Sequence, residues 1–175
     1  MQQTFTITAE VEIRPCTARD LPQMEWYGLF TPHREIIERT YARQKKGEMV
    51  MLVAEMHHYP VGQVWIDLMQ PEPGVVGTIW ALRVLPFMQG LGIGLKLIAA
   101  AERELTVRGF QGAEIAAELG ARVAQLYRRL GYEPMGERVE TTHYTTPDGV
   151  PETLTSDVLV FRKPLSLILP ETPSP

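Results

Sequence analysis

Three glycines fall at alternate positions in the run Gln89-Gly90-Leu91-Gly92-Ile93-Gly94, between a strand-like segment and a long helical one. Glycine lets a backbone approach a ligand closely and adopt turns closed to other residues. The helix that comes next begins with N–H groups lacking intrahelical partners and carries the positive end of its dipole there. Together these features make an anion site suited to phosphates. The spacing narrows the choice of phosphate. A dinucleotide loop needs G-x-G-x-x-G; counted from Gly90 the last position is Leu95, and from Gly92 it is Leu97. A P-loop needs G-x-x-x-x-G-K-[ST], but its second glycine falls on Leu95, and no Ser or Thr follows Lys96. Tight helix–strand packing alone does not account for three glycines at one helix mouth, where each costs conformational entropy.

The flanking pattern supplies a frame. Val11 and Ile13 alternate with Glu12 and Arg14 as in a short strand. Thr17 is placed to cap a helix from Ala18 to about Gly28, and Thr31-Pro32 to start a second one from His33 to Lys46, stopped by Gly47. Met49–Met56 and Val61–Met69 read as a hairpin turning at His57-His58-Tyr59-Pro60, with Val76–Val84 as the next strand. Helix Gly90–Arg108, strand Ala113–Ala117 and helix Ala121–Leu130 come after it. Tyr132–Thr145 and Thr155–Lys163 close the chain as a strand pair around Pro147-Asp148-Gly149. The order predicts a single mixed α/β domain over residues 1–165, with residues 166–175 as a tail.

Bulk properties exclude several function classes. The 175 residues suffice for one core without disulfides or metal. A net charge of -4 argues against a dedicated nucleic-acid binder. No apolar run is long enough to span a membrane, and Met1–Ala9 lacks the apolar core of a signal peptide. The single cysteine, Cys16, cannot form an internal disulfide and reads as a small buried filler. The expected location is the cytoplasm. No metal is expected: His57-His58 are adjacent, so they face opposite ways on a strand, and have no partner at ligand spacing.

What remains is a Q-x-x-G-x-G loop, and the chain around it resembles the GNAT N-acetyltransferase family. Ile79-Trp80-Ala81-Leu82-Arg83-Val84-Leu85-Pro86 is similar to that family's strand leading into the loop, and Ile93-Gly94-Leu95-Lys96-Leu97-Ile98 to the start of its long helix. Leu126-Tyr127-Arg128-Arg129-Leu130-Gly131-Tyr132 is similar to its later L-Y-x-x-x-G-[FY] segment, and Ile13–Leu21 to its opening. The resemblance spans about residues 10 to 165. It implies a mostly antiparallel mixed sheet of about six to seven strands flanked by about four helices. It implies acetyl-CoA as acyl donor and a small-molecule or peptide amine as acceptor. Backbone amides of Gln89, Gly90, Leu91, Gly92, Ile93, Gly94 and Leu95 would hold the pyrophosphate, each charge-assisted bond being worth roughly 1.5–3 kcal/mol. Leu82, Arg83 and Val84 would flank the pantetheine arm, laid along the strand edge like an added strand. Ala124 and Tyr127 would line the cofactor side, and Trp26, Tyr27 and Phe30, followed by His33, the acceptor pocket.

Amide formation needs a neutral amine, a polarised thioester and a proton for the departing thiolate. Tyr127 is the candidate proton donor, since a phenol of pKa about 10 is protonated at neutral pH. Asp67 and Glu118 are the carboxylates available as a base. Two departures from the family pattern stand out. Gly120-Ala121-Arg122 occupies the place of an asparagine, and Thr78, Trp80 and Arg83 stand where relatives carry a strand glutamate. They motivate an alternative, a CoA-binding or sensor domain without catalysis. A nucleotide binder is a third reading. The tail Leu165-Ser166-Leu167-Ile168-Leu169 is apolar enough to dock on a second copy, so a homodimer stays open.

Overall fold

The computed structural model describes residues 8, 10–72, 74–119 and 123–166. The segment 120–122 and most of the expected tail lie outside the described residues, as does nearly all of Met1–Ala9. Seven strands form one sheet: β1 (Glu12–Pro15), β2 (Met49–Met56), β3 (Tyr59–Glu72), β4 (Val76–Val84), β5 (Gly112–Glu118), β6 (Glu133–Thr145) and β7 (Pro151–Pro164). Their spatial order is β1-β2-β3-β4-β5-β7-β6, and every pairing is antiparallel except β4 with β5. Three α-helices are described: α1 (Arg34–Lys45), α2 (Ile93–Val107) and α3 (Val123–Arg129). The parallel pair requires a crossover, which α2 provides. This is the mixed, mostly antiparallel α/β sheet expected.

Local sequence accounts for most elements. The β2 run MVMLVA is buried on both faces, so it is apolar throughout rather than alternating. His57 and His58 both adopt positive φ (50° and 62°), the two-residue hairpin geometry whose twist matches the flanking strands. In α2 the residues Ile93, Leu97, Ile98, Ala101 and Leu105 form one buried stripe at helical spacing. That stripe lies on β3 and β4, and Gly77 admits it: a Cβ there would stand 2.2 Å from a methyl of Leu105. The opposite face is covered by α1 through Ile36 and Ile37, against Met51, Val53 and Trp65.

The segment 18–28 does not form the expected helix. It is a chain of turns with one 3-10 turn at Gln23–Glu25. Pro22 has no N–H to donate, and Trp26, Tyr27 and Gly28 all have positive φ. Thr17 does not cap; its N–H and hydroxyl instead donate to the Asp20 carboxylate (2.7 and 2.9 Å). Arg14 donates to the same carboxylate through both terminal nitrogens (2.8 Å each). Burial alone would push the Asp20 carboxyl up; the guanidinium and the Thr17 donors outweigh it and hold it below the usual range. A depressed carboxyl contributes stability that is full above its unfolded pKa, about 3.9, and is lost as pH falls through the lower folded value. Asp20→Asn is therefore expected to cost about 2 kcal/mol at neutral pH. Thermal melts across pH should show the gap to the native protein closing below about pH 3.

Candidate active site

The site is a wedge opened in the sheet. β4 and β5 are paired from Val76–Gly112 as far as Ile79–Ile115, and beyond that point the two strands part. On the other side of β4, Trp80 faces Trp65 and Arg83 faces Gln63. Ala81 and Leu82 thus stand opposite the single residue Val64. This is a β-bulge, and bulges bend the strand that carries them. Ala81 takes φ 50°, unusual for a residue with a side chain, and marks the kink. Between the parted strands lies a cavity of about 470 Å³, lined by His33, Trp80, Leu82, Arg83, Glu118 and Tyr127 among others.

A second cavity of about 430 Å³ shares Leu82, Arg83 and Val123 with the first and is lined by the glycine loop. There the chain makes a 3-10 turn at Pro86–Met88 and enters α2 from Gly92, which has φ 81° and no side-chain cap. Gly90 has φ 80°. A Cβ on Gly90 or Gly92 would meet nothing within 4 Å, and one on Gly94 only Val84 at 3.8 Å. The glycines are therefore not demanded by packing; open space lies over them. The amides of Ile93, Gly94 and Leu95 precede Lys96 N–H, which bonds the Gly92 carbonyl (3.1 Å). Gln89 ties the loop to β4, its Nε2 donating to the Val84 carbonyl (3.0 Å). A set of main-chain donors at a helix start, with open space over its glycines among the described residues, fits a pyrophosphate.

On the other side the wedge runs into an outer cavity of about 710 Å³ between α1, the sheet and β6. Its charges are largely matched internally. Arg43 pairs with Asp67 (2.9 Å), whose carboxylate also accepts the Met69 N–H (2.9 Å). Glu114 is 2% exposed and receives Arg138 (2.9 Å) and Arg162 (2.8 Å), fastening β5 to β6 and β7. Removing one partner of a buried ionic cluster costs about 3–5 kcal/mol. Glu114→Ala is expected near the lower end, about 3 kcal/mol, because both guanidinium side chains keep contact with water. Urea denaturation would measure it.

Tyr127 is buried with its ring edge-on to Phe161 (5.7 Å), and burial pushes its hydroxyl up to about 12. It is fully protonated at neutral pH. His33 is pushed below its ordinary value, first by burial and then by the charge of Arg83, so its imidazole is neutral there. Its Nδ1 is buried without a hydrogen-bond partner. Glu118 stands exposed at the rim. Burial likewise pushes the Cys16 thiol up to about 12, in keeping with a filler.

Of the residues read from sequence, Leu82, Arg83, Val84, Gln89, Gly90, Gly92, Ile93, Gly94 and Leu95 come together around the donor cavity. Leu91 points outward and is exposed, Ala124 packs against the core, and Tyr127 lines the wedge rather than the loop cavity. Trp26, expected in the acceptor pocket, is buried with its indole N–H on the Pro60 carbonyl (2.9 Å). Tyr27 is exposed and stacked on Tyr59 (5.5 Å). Phe30 does not line the wedge itself but meets two residues that do, Arg83, whose guanidinium carbon lies 4.4 Å from its ring centre, and His33. Left-handed backbone at Trp26 and Tyr27 breaks the helix that would have aligned all three. Met88, Val123 and Leu126 also line the loop cavity, though none was read as a site residue from the sequence. The helical spacing of Val123, Leu126 and Tyr127 was the available signal. Glu140 and Thr142 reach the wedge from β6, and nothing local foretells that.

A family model described as "Acetyltransferase (GNAT) family" matches residues 17–132. No curated protein matches the sequence. Among solved structures, the chain is similar to a ribosomal-protein-alanine N-acetyltransferase from Brucella melitensis (22% identity, TM-score 0.68, covering 88% of this chain and 99% of that one). It is similar to an N-acetyltransferase from Staphylococcus aureus Mu50 (13%, 0.68, 90% and 99%). It is similar also to yncA from Salmonella typhimurium, solved with its cofactor acetyl-CoA (20%, 0.66, 94% and 97%). At these identities the likeness is one of fold.

Proposed function

This chain belongs to the GNAT acetyltransferase family, and on that premise we propose that it is an N-acetyltransferase, moving the acetyl group of acetyl-CoA to a primary amine by direct attack within a ternary complex. One observation carries the reading: the cavity over the glycine loop and the wedge that holds Tyr127 are neighbours, sharing Leu82, Arg83 and Val123 as walls. An acyl donor anchored at the loop would therefore present its far end where an acceptor can meet it from the other side of the sheet. Bound there, acetyl-CoA supplies an activated thioester carbonyl.

The chain's own groups do the rest. Loop amides hold the pyrophosphate, and the main chain of Leu82 and Val84 pairs with the pantetheine arm as a strand would. Tyr127 donates its proton to the departing thiolate. The neutral imidazole of His33 and the carboxylate of Glu118 are placed to accept the proton of the amine; Asp67 is already committed to Arg43. Little basic strength is needed for an α-amine, which at a pKa of about 8 is roughly one-tenth neutral at pH 7. No helix among the described residues is long and apolar enough to cross a membrane.

Calorimetric titration with acetyl-CoA, followed by a thiol-release assay over a panel of amines, tests the proposal. Absence of acetyl-CoA binding sinks it. Trp80, standing where relatives carry glutamate, favours the second reading, a CoA sensor. Tight binding with no release from any amine would establish that instead.

A further inference from the structure

The arginines that line the outer cavity are matched by carboxylates: Arg39 with Glu35, Arg43 with Glu48 and Asp67, and Arg138 with Glu114 and Glu140. Arg83 differs. It lines both the wedge and the donor cavity, and among the described residues no carboxylate is bonded to it. Its guanidinium lies over the face of Phe30, 4.4 Å from the ring centre. Phe30 in turn sits edge-on to Trp26 (5.4 Å) and 6.3 Å from His33, so an aromatic wall fixes the guanidinium from one side. The Phe30 ring covers one side of the guanidinium, whose N–H groups are bonded to no carboxylate among the described residues and can serve an anion. Burial without compensation pushes Arg83 below its ordinary value, yet an arginine stays charged. A partly desolvated cation with no internal partner is costly and is retained where a ligand completes it.

The rest of the wedge indicates which anion. The loop amides that fit the pyrophosphate lie beyond β4, past the 3-10 turn, whereas Phe30 covers Arg83 from the segment before α1, and His33 is near enough for the guanidinium charge to lower its pKa. The other ionisable groups facing the wedge are His33, Tyr127, Glu118 and Glu140, the last already paired with Arg138. Glu118 has no bonded cation among the described residues. A ligand that answers both open charges carries an amine and a carboxylate. A polyamine would meet like charge at Arg83.

Resting on the acetyl-transfer reading above, we propose that Arg83 is a specificity-determining residue that binds the carboxylate of an amino-acid-type acceptor, whose amine is thereby held at the wedge beside His33 and Glu118. Charge-assisted, bidentate guanidinium–carboxylate pairs are among the stronger polar contacts, and they discriminate by geometry as well as charge. The amine attacks the thioester carbonyl, an N–C bond forms as the C–S bond breaks, the amine's proton leaves to the base, and the thiolate takes a proton from Tyr127. The carboxylate at Arg83 is unchanged by the reaction.

The test uses the full chain and two readouts. The first is thiol release from acetyl-CoA with each common L-amino acid beside its amide, together with β-alanine and γ-aminobutyrate beside theirs. The second is calorimetric binding of the same compounds to protein saturated with CoA. For the preferred compound the free acid should exceed its amide at least tenfold in kcat/KM and in affinity. Arg83→Leu should bring that ratio to about one, and Arg83→Lys should restore part of it. Equal handling of acids and amides by the native protein overturns the inference while leaving acetyl transfer standing. An Arg83→Leu variant whose KM rises for acetyl-CoA, with the acid preference intact, overturns it too and assigns Arg83 to the donor. If acids outbind amides through Arg83 but no thiol is released, the carboxylate site stands and the catalytic reading falls.

Discussion

Replacing Gly94 with aspartate is expected to remove acetyl-CoA binding, by about a thousandfold, and to leave the fold intact. Unlike Gly90 and Gly92, Gly94 is not among the positive-φ glycines, so a side chain costs no backbone strain there. The added Cβ would meet only Val84, at ordinary contact distance. A carboxylate in the first turn of α2 even favours the isolated helix, through the dipole. Against a bound pyrophosphate the same carboxylate acts the other way. It places like charges a few ångströms apart, worth about 3 kcal/mol even at an effective dielectric of 20. It also competes for the amides, each worth about 1.5–3 kcal/mol as a charge-assisted bond. Together these exceed 4 kcal/mol, and each 1.4 kcal/mol is a factor of ten. The signature is divergent: calorimetry loses the acetyl-CoA signal, while the melting temperature without ligand holds or rises. A variant that binds acetyl-CoA normally would mean that the loop is not the pyrophosphate site.

Tyr127→Phe should lower kcat about a hundredfold, the lower end of what a positioned general acid contributes, with KM for acetyl-CoA changing little. The substitution is a clean one. The ring stays, and with it the contacts to Phe161 and Tyr132, so only the hydroxyl is lost. A hydroxyl pushed up to about 12 holds its proton throughout the working pH range, so the proton is still on Tyr127 when the thiolate departs. The loss should shrink for an acetyl thioester whose thiol is more acidic, because that leaving group needs less help. A structural tyrosine would instead lower the melting temperature and leave kcat in place.

These two experiments address parts of the site that differ in how they were legible. The donor half is local in sequence. Gln89 to Leu95, with Leu82 and Val84 just upstream, form a strand–loop–helix passage whose turn chemistry and helix dipole are properties of neighbouring residues. The spacing of three glycines therefore carried both the anion site and the exclusion of two rival loops. Strand composition and turn residues similarly placed the strands to within a few residues, since both are local signals. Where local signals competed, the reading failed: Thr17 with Asp20 looks like a helix start, but Arg14, from the neighbouring strand, claims the Asp20 carboxylate, and Pro22 interrupts the helical hydrogen-bond pattern two residues later.

The acceptor half belongs to the tertiary structure. Asp67 and Glu118 are equivalent as carboxylates in a sequence, and only the fold gives Arg43 to one and leaves the other at the rim of the wedge. Trp26, Tyr27 and Phe30 are closely spaced aromatics whose division among core, solvent and Arg83 comes from left-handed backbone that no spacing shows. The bulge at Ala81 parts β4 from β5 through a mismatch between two strands, so neither strand alone contains it. The sequence by itself determined where an anion can sit, because a site at a helix mouth is built from adjacent amides. The tertiary structure decided what stands opposite, because Arg83, His33, Glu118 and Tyr127 come from four separate segments and acquire their relation only when the sheet closes around the wedge.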